Sequence, residues 1–312
     1  MKVVVTGAAG FIGSHLTEAC LARGWEVVAI DPAARNAEAF RDDPGCTFVE
    51  QDLLDADLPA LLSGAHVVFH LAAQAGVRAS WGESFDEYTH RKVTVLQRLL
   101  EAAREAPLDR FVFASSSSVY GDAAGDVTAE DHTLRPLSPY GATKVLGEHL
   151  VYLYFRRYGL PALSLRYFSV YGPRQRPDMA FHRAIDAWLA DREFVLYGDG
   201  RQTRDFTFVA DAVAGTLAAA ERGVPGEAYN LGGGAAVSMT DALELIRDEL
   251  GRGEVRHVPA RPGEARDTAA DITRARAELG YEPAVAIADG LREQIEWHRR
   301  LRDSVTATLP TA

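Results

Sequence analysis

The stretch Gly7-Ala8-Ala9-Gly10-Phe11-Ile12-Gly13 constrains the fold of this chain more than any other. It follows the β-branched run Lys2–Thr6, which reads as a buried strand. It opens Phe11–Arg23, which has helical spacing and stops at Gly24. A strand that enters a helix over spaced glycines allows a tight turn, close approach of backbone to a pyrophosphate, and tight helix packing. The helix N-terminus then offers N–H groups and a positive dipole end to the phosphates. Glycines also end strands for local reasons. The inference therefore rests on context, and Asp31 completes it by closing the second strand, Glu26–Ile30. Asp31 can accept both adenosine ribose hydroxyls and would repel a 2′-phosphate, which favours NAD over NADP.

The same alternation continues. Cys46–Glu50 and Val67–His70 read as strands, Glu87–Ala106 as a long helix ending at Pro107, and Arg110–Ala114 as a strand running into serines. Ser138 and Pro139 suit the cap and first turn of a helix that runs to about Tyr158 and stops at Gly159. Leu163–Arg166 is one more strand. Strands alternating with helices predict an α/β fold with a Rossmann-type doubly wound parallel sheet. After Tyr171-Gly172-Pro173, clusters of arginine, proline and glycine separate shorter elements. They suggest a smaller α/β substrate-binding lobe, interleaved with a helix (Asp211–Glu221) and a strand (Ala228–Leu231) that return to the sheet. The expected division is 1–168 plus 206–232 for the dinucleotide domain and 169–205 plus 233–302 for the lobe. Val285–Leu301 is the last amphipathic helix, and 303–312 reads as a frayed tail. Asp52 and Leu53, after the third strand, could flank an adenine. Leu71-Ala72-Ala73, after the fourth, is small enough to pass close to a ligand.

With 312 residues, 47% apolar and 25% charged, the chain can bury a sizeable core and is not a disordered polymer. A net charge of −11 argues against general nucleic-acid binding. The two cysteines, Cys20 and Cys46, have neither metal-ligand spacing nor a disulfide framework, so no metal is expected and a reducing cytoplasm is. Met1–Gly7 has no apolar signal region, and no window approaches ~18 uninterrupted apolar residues, so no membrane partner is expected.

Tyr140 and Lys144 stand four residues apart, on one face of the helix after Pro139. A free tyrosine ionises near pH 10 and is a weak base at neutrality. A lysine and a nicotinamide cation nearby would favour its phenolate. Ser116, ending the preceding strand, can hold the same substrate hydroxyl. The three suit removal of a hydroxyl proton while hydride leaves the carbon.

These motifs together resemble the extended short-chain dehydrogenase/reductases of the NAD-dependent sugar-nucleotide epimerase/dehydratase family. The likeness runs nearly the whole length. It includes Thr6–Gly13, His70–Ala73, Ala114–Gly121, Tyr140–Lys144, Leu165–Phe168 and Arg204–Thr207. The resemblance implies a retained, recycled NAD, a nucleotide-sugar substrate, and a homodimer built on the helices around 87–106 and 140–158.

Within that family, 4,6-dehydratases resemble one another in an Asp-Glu pair after the catalytic Thr, and UDP-glucuronate decarboxylases carry a glutamate at the second position. Here those positions are Ser117 and Ser118. The pattern most resembles UDP-glucuronic acid 4-epimerases, through Gly76–Trp81, Pro136–Gly141 and Tyr171–His182. That likeness implies a carboxylate held among Ser117, Ser118, Ser169 and Arg176, with charge-assisted hydrogen bonds. Arg78 belongs to the first of those stretches and is a further substrate-side candidate. The likeness also implies diphosphate contacts from Arg204 and Arg266, a uracil flanked by Val195–Tyr197, and local structural roles for Asp205 and Asp271. UDP-glucuronic acid decarboxylase, UDP-glucose 4-epimerase and a non-catalytic NAD-binding sensor are the alternatives. Two departures stand out. Lys92 occupies a helix position where relatives generally have asparagine, and a lysine buried there unpaired would be costly. Ser169 stands where glucuronate epimerases often have threonine and glucose epimerases asparagine.

Overall fold

The β-branched runs become neighbours in one sheet in the computed structural model, which describes residues 1–74, 76–82, 85–122, 127–260 and 265–308. β1 (Lys2–Thr6) leads through the glycine turn into α1 (Phe11–Leu21). Then come β2 (Glu26–Asp31), β3 (Cys46–Glu50), the short α2 (Leu58–Leu62) and β4 (Val67–His70). α3 (Phe85–Thr89) and α4 (Val95–Ala103) precede β5 (Arg110–Ser116), and α5 (Pro139–Tyr158) precedes β6 (Ala162–Tyr167). The Ser138 hydroxyl caps α5 by accepting the Gly141 amide at 3.1 Å, and Gly159 ends it at φ +71°.

The chain continues through β7 (Val170–Tyr171), α6 (Ala180–Leu189), β8 (Phe194–Tyr197), β9 (Thr203–Asp205) and β10 (Thr207–Phe208). α7 (Val209–Arg222) and β11 (Ala228–Leu231) follow, then β12 (Ala236–Ser238), α8 (Met239–Leu250), β13 (Val255–Val258) and α9 (Ile287–Thr308). The main sheet runs β11-β6-β5-β4-β1-β2-β3 with every neighbouring pair parallel. Its order reverses beside β1, which opens a crevice at the carboxyl ends of β1 and β4, where doubly wound sheets bind ligands. As the sequence suggests, the helix and strand after the lobe's first section return to this sheet. One apolar cluster runs from Val3 and Phe69 through Trp188 and Ile246 to Ile295, so the sheet and the smaller strand pairs pack on common ground. A second cluster, with Val68, Leu96, Leu99, Phe111 and Val151, fills the other face.

Two expectations need correction. The helix expected over Glu87–Ala106 is unbroken but not α-helical throughout. It begins at Phe85, widens into a π-helical turn at His90–Thr94, and ends at Ala103. A 3.6-residue pattern cannot register one extra residue in a turn. The last helix runs past Leu301 to Thr308, so residues 303–308 are helical where a frayed tail was expected. The sequence offers no glycine or proline stop before Pro310; residues 309–312 lie outside the described residues.

One buried ion pair braces β6 against α5. Arg166 Nη2 donates to Glu148 Oε2 at 2.7 Å and Arg166 Nε to Oε1 at 3.0 Å, with both side chains less than one-tenth exposed. The Ser115 hydroxyl donates to the same carboxylate. Arg166 Nη1 donates to the Tyr120 hydroxyl at 2.7 Å, and Tyr120 donates to Asn230 at 2.7 Å. Removing one partner leaves the other charge buried and alone. Arg166→Met is therefore expected to lower unfolding free energy by about 3–5 kcal/mol in denaturant melts, with partial recovery when Glu148→Leu is added. Equal stability of wild type and Arg166→Met would contradict this.

Candidate active site

The glycine turn is built so that nothing larger fits. Gly7 has φ +70°, and a Cβ there would stand 2.7 Å from the Ala72 amide nitrogen. A Cβ on Gly13 would overlap the Gly7 carbonyl. Gly10 is the N-cap of α1 and makes no side-chain cap, so the first amides of the helix face the crevice. Phe11 is buried against the core and Ile12 packs beside it. Asp31, half-buried, accepts the Ala9 amide at 3.2 Å and the Ala33 amide at 3.1 Å. Burial raises its pKa, and those amides oppose the rise. The backbone at Leu71 and Ala72 lies against Gly7, with the Leu71 amide donating to the Thr6 carbonyl at 3.1 Å. Ala73 follows it on the crevice side. The donor set and the absence of side chains at the turn fit a dinucleotide pyrophosphate, with Asp31 for a ribose.

Asp52 and Leu53 share a loop but face different ways. Asp52 accepts the Leu54 amide at 2.9 Å and Arg91 at 2.5 Å, and against burial these hold its carboxyl below the usual range. Leu53 is buried among Val28, Ile30 and Leu58.

The end of β5 and the first turns of α5 bring Ser116, Tyr140 and Lys144 together. The Ser116 hydroxyl accepts the Ser118 amide at 3.2 Å and donates to the Ser118 hydroxyl at 3.2 Å. It also hydrogen-bonds the Tyr140 phenol, which favours the phenolate; burial acts the other way and raises the Tyr140 pKa. The positive charge of Arg176 favours that phenolate too. The Tyr140 amide donates to the Ser80 hydroxyl at 3.1 Å. Lys144 is buried, and its Nζ donates to the Ala114 carbonyl at 2.5 Å. Burial lowers its pKa to about 8, against the pull of Glu148 one turn on.

The substrate-side candidates come from several elements. Ser117, Ser118 and Ser169 are half-buried. Arg176 is held by Asp178 through two contacts of 3.0 Å. The Arg78 guanidinium stacks 5.4 Å from the Tyr197 ring centroid, and Val195 lies two residues away on β8. Arg204 donates to the carbonyls of Ala265 and Arg266, each at 2.7 Å. Arg266 is exposed, with Asp199 at 3.7 Å. Asp205 is buried and accepts the amides of Gly233 (2.5 Å) and Ala270 (3.1 Å), while Asp271 accepts the Thr273 amide at 2.8 Å. Burial pushes Asp205 up to about 6.

Two features went unread in the sequence. Arg166 was visible as a lone charge in the apolar run Ala162–Tyr167, but its partner Glu148 lies on another element. His70 was quoted only as part of a motif. It is buried, with Nδ1 2.8 Å from Thr6 Oγ1, which accepts the Ala72 amide at 3.2 Å. It thus sets the path of the chain over Gly7.

A family model described as the NAD dependent epimerase/dehydratase family matches residues 3–232. The chain belongs to this family. Membership makes NAD the cofactor, and the glycine turn with Asp31 is the part of this chain that fits it. UDP-glucuronic acid 4-epimerase from Bacillus cereus, solved with UDP-glucuronic acid and NAD, is 42% identical. The match covers 96% of this chain and 100% of that one, with a TM-score of 0.93. MoeE5, solved with UDP-glucuronic acid and NAD, is also 42% identical over 96% of this chain and 100% of its own, with a TM-score of 0.91. The uncharacterized UDP-glucose epimerase YtcB of Bacillus subtilis is 45% identical over 309 residues, 95% of this chain and 98% of its own. Among the described residues, no group of His, Cys, Asp and Glu could hold a metal ion, and no helix is long and apolar enough to cross a membrane.

Burial, then the nearby Lys144 charge, lower the His70 pKa to about 3 from an ordinary 6.5. Between these values the unfolded chain binds a proton that the folded chain refuses. Stability contributed by neutral His70 is therefore lost as pH falls below about 6.5, by up to about 1.4 kcal/mol per pH unit. His70→Asn is expected to show a shallower loss of thermal stability from pH 6.5 to pH 4 than wild type. Parallel curves would rule this out.

Proposed function

We propose that the chain interconverts UDP-glucuronic acid and UDP-galacturonic acid. One observation carries the choice of sugar. The turn after Ser116 holds Ser117 and Ser118 in place of acids, and the guanidinium of Arg176 stands close enough to Tyr140 to act on its ionisation. Neutral donors and one arginine suit a carboxylate at C6, and neither Ser117 nor Ser118 supplies the acid that a dehydration would need. The B. cereus and MoeE5 complexes with UDP-glucuronic acid support this reading.

In this mechanism Tyr140, as phenolate, takes the proton of the sugar 4-hydroxyl, and Ser116 holds the same oxygen. Lys144 keeps a positive charge beneath the phenolate and is suited to a ribose hydroxyl. The glycine turn and Asp31 would hold NAD, which would supply a reversible acceptor for the C4 hydride. The 4-keto sugar must turn over between the two transfers, so its hold has to rest on the diphosphate and base. Arg204, Arg266, Arg78, Val195 and Tyr197 are the residues we assign to that hold. A 4-keto uronate is a β-keto acid and tends to lose CO2. Donors from Ser117, Ser118, Ser169 and Arg176 can keep the carboxylate out of the geometry that favours this loss. The same crevice without a carboxylate contact would serve UDP-glucose. That second reading draws support from YtcB and from Asp178, which already occupies Arg176. The exposed apolar Leu146, Tyr152 and Leu153 on α5 support a homodimer through that helix.

Proton NMR of the purified protein with UDP-glucuronic acid, with CO2 measured alongside, tests the reading. A UDP-galacturonic acid signal rising to a steady ratio without CO2 is expected. A pentose with CO2 would reject it, and turnover of UDP-glucose alone would favour the second reading. Tyr140→Phe is expected to keep NAD bound and to lose about 10²–10⁴-fold in kcat. Near-wild-type turnover in that variant would remove Tyr140 from the role of base.

A further inference from the structure

Lys92 sits in the π-helical turn, His90–Thr94, and is only 5% exposed. Its Nζ has no hydrogen-bond partner among the described residues. It lies 3.9 Å from the ring centroid of Tyr140 and 4.1 Å from that of Tyr88. Lys144 Nζ, the amine expected to serve the tyrosine, is farther from the Tyr140 centroid, at 6.0 Å, and is spent on the Ala114 carbonyl. The amine nearer to the phenol ring is therefore the one on the helix position where relatives generally carry asparagine.

We infer that Lys92 is a positioning residue for the reaction, its ammonium stabilising the Tyr140 phenolate from the face of the ring. The argument is electrostatic. A cation over an aromatic face is attracted by the ring quadrupole, more so when both are desolvated. Ionising the phenol places a full negative charge on that ring, and the attraction grows. Proton loss from Tyr140 and proton uptake by Lys92 are thus linked. In the resting site, burial and then the Lys144 charge lower the Lys92 pKa to about 6. The amine therefore gains a proton readily only when the ring beneath it turns anionic.

The groups facing this amine are few. Tyr88 comes from α3, and Tyr140 and Lys144 from α5, with Glu148 behind Lys144. Arg176 acts on both phenols, and its partner Asp178 and the nearby Glu87 act on Tyr88. Arg91, next to Lys92, is taken by Asp52 and Glu87. No carboxylate is in hydrogen-bonding contact with Lys92 among the described residues, so the phenolate is the anion it can answer. The π turn matters because such turns are rare and recur at functional sites. Here it carries the lysine inward while its neighbour Arg91 reaches the Asp52 loop.

The inference rests on Tyr140 being the base, so its test includes a readout that needs no sugar. Phenolate absorbance of the NAD-loaded protein is titrated in wild type and in K92M, each against its own Y140F background. K92M is expected to move the Tyr140 midpoint up by about one pH unit or more, the size of effect an opposite charge at this range has. K92R should hold it at or below the wild-type value. Below the midpoint, kcat on whichever nucleotide sugar turns over should fall about tenfold in K92M, with KM within about twofold. Coincident midpoints for wild type and K92M would overturn the inference, whatever the substrate proves to be. If K92M fails to fold or to keep NAD, K92N takes its place in the same comparison. Inertness toward UDP-glucuronic acid with a shifted midpoint would reject the sugar and leave Lys92 in its role.

Discussion

The Glu148–Arg166 ion pair holds the chemistry of this protein in register. Glu148 lies on the same helix as Tyr140 and Lys144, and its carboxylate also receives the hydroxyl of Ser115, next to Ser116. Arg166 in turn reaches Tyr120 and the Glu130 carbonyl, and Tyr120 reaches Asn230 on β11. Five segments of chain thus meet at or next to one buried pair. A pair of this kind adds little net stability compared with apolar packing, because both charges are desolvated. What it contributes is a fixed angle between the β5 end and α5. It also supplies the negative charge that opposes the fall in Lys144 proton affinity.

That carboxylate matters because the rest of the pocket holds positive charge at close quarters. Burial weakens the hold of both Lys92 and Lys144 on a proton, the Lys144 charge weakens that of Lys92 further, and Arg176 adds its field at Tyr140. A neutral phenol in such surroundings is under opposed pressures. Desolvation resists its ionisation, while the Ser116 hydrogen bond and the Arg176 charge favour it. A base that must work near neutrality needs that balance.

The parts legible in the sequence are those whose cause is local. Gly7, Gly10 and Gly13 declare a turn, Ser138-Pro139 a helix start and Gly159 its stop, because a few neighbouring residues decide each. Tyr140, Lys144 and Ser116 were legible because two lie one helical turn apart and the third ends a strand. Arg166, His70 and the π turn were not, because each is explained by a partner distant in sequence: Glu148, Thr6, and the ring of Tyr140. Lys92 falls between the two cases. Its oddity was visible and so was the cost of burying it, but only the fold shows that two phenol faces take the place of a hydrogen bond.

The lobe side adds a further constraint on selectivity. The chain is acidic overall, yet the proposed substrate contacts include Arg78, Arg176, Arg204 and Arg266. The structure gives these cations internal partners: Tyr197 for Arg78, Asp178 for Arg176, backbone carbonyls for Arg204, and Asp199 for Arg266. An anionic ligand must therefore share or displace those partners rather than meet bare charge. Exchange of Asp178 for a ligand carboxylate replaces one charge-assisted contact with another of similar strength, so the net gain is small. A ligand lacking the carboxylate leaves the Arg176–Asp178 pair closed and forfeits only that small gain. On the proposed reading, discrimination between a uronate and a hexose would be set by the serine hydroxyls of residues 117, 118 and 169 as much as by the arginine. The outcome depends on whether those hydroxyls find acceptors when the sugar binds, since a buried hydroxyl left without one is penalised more than a paired one is rewarded.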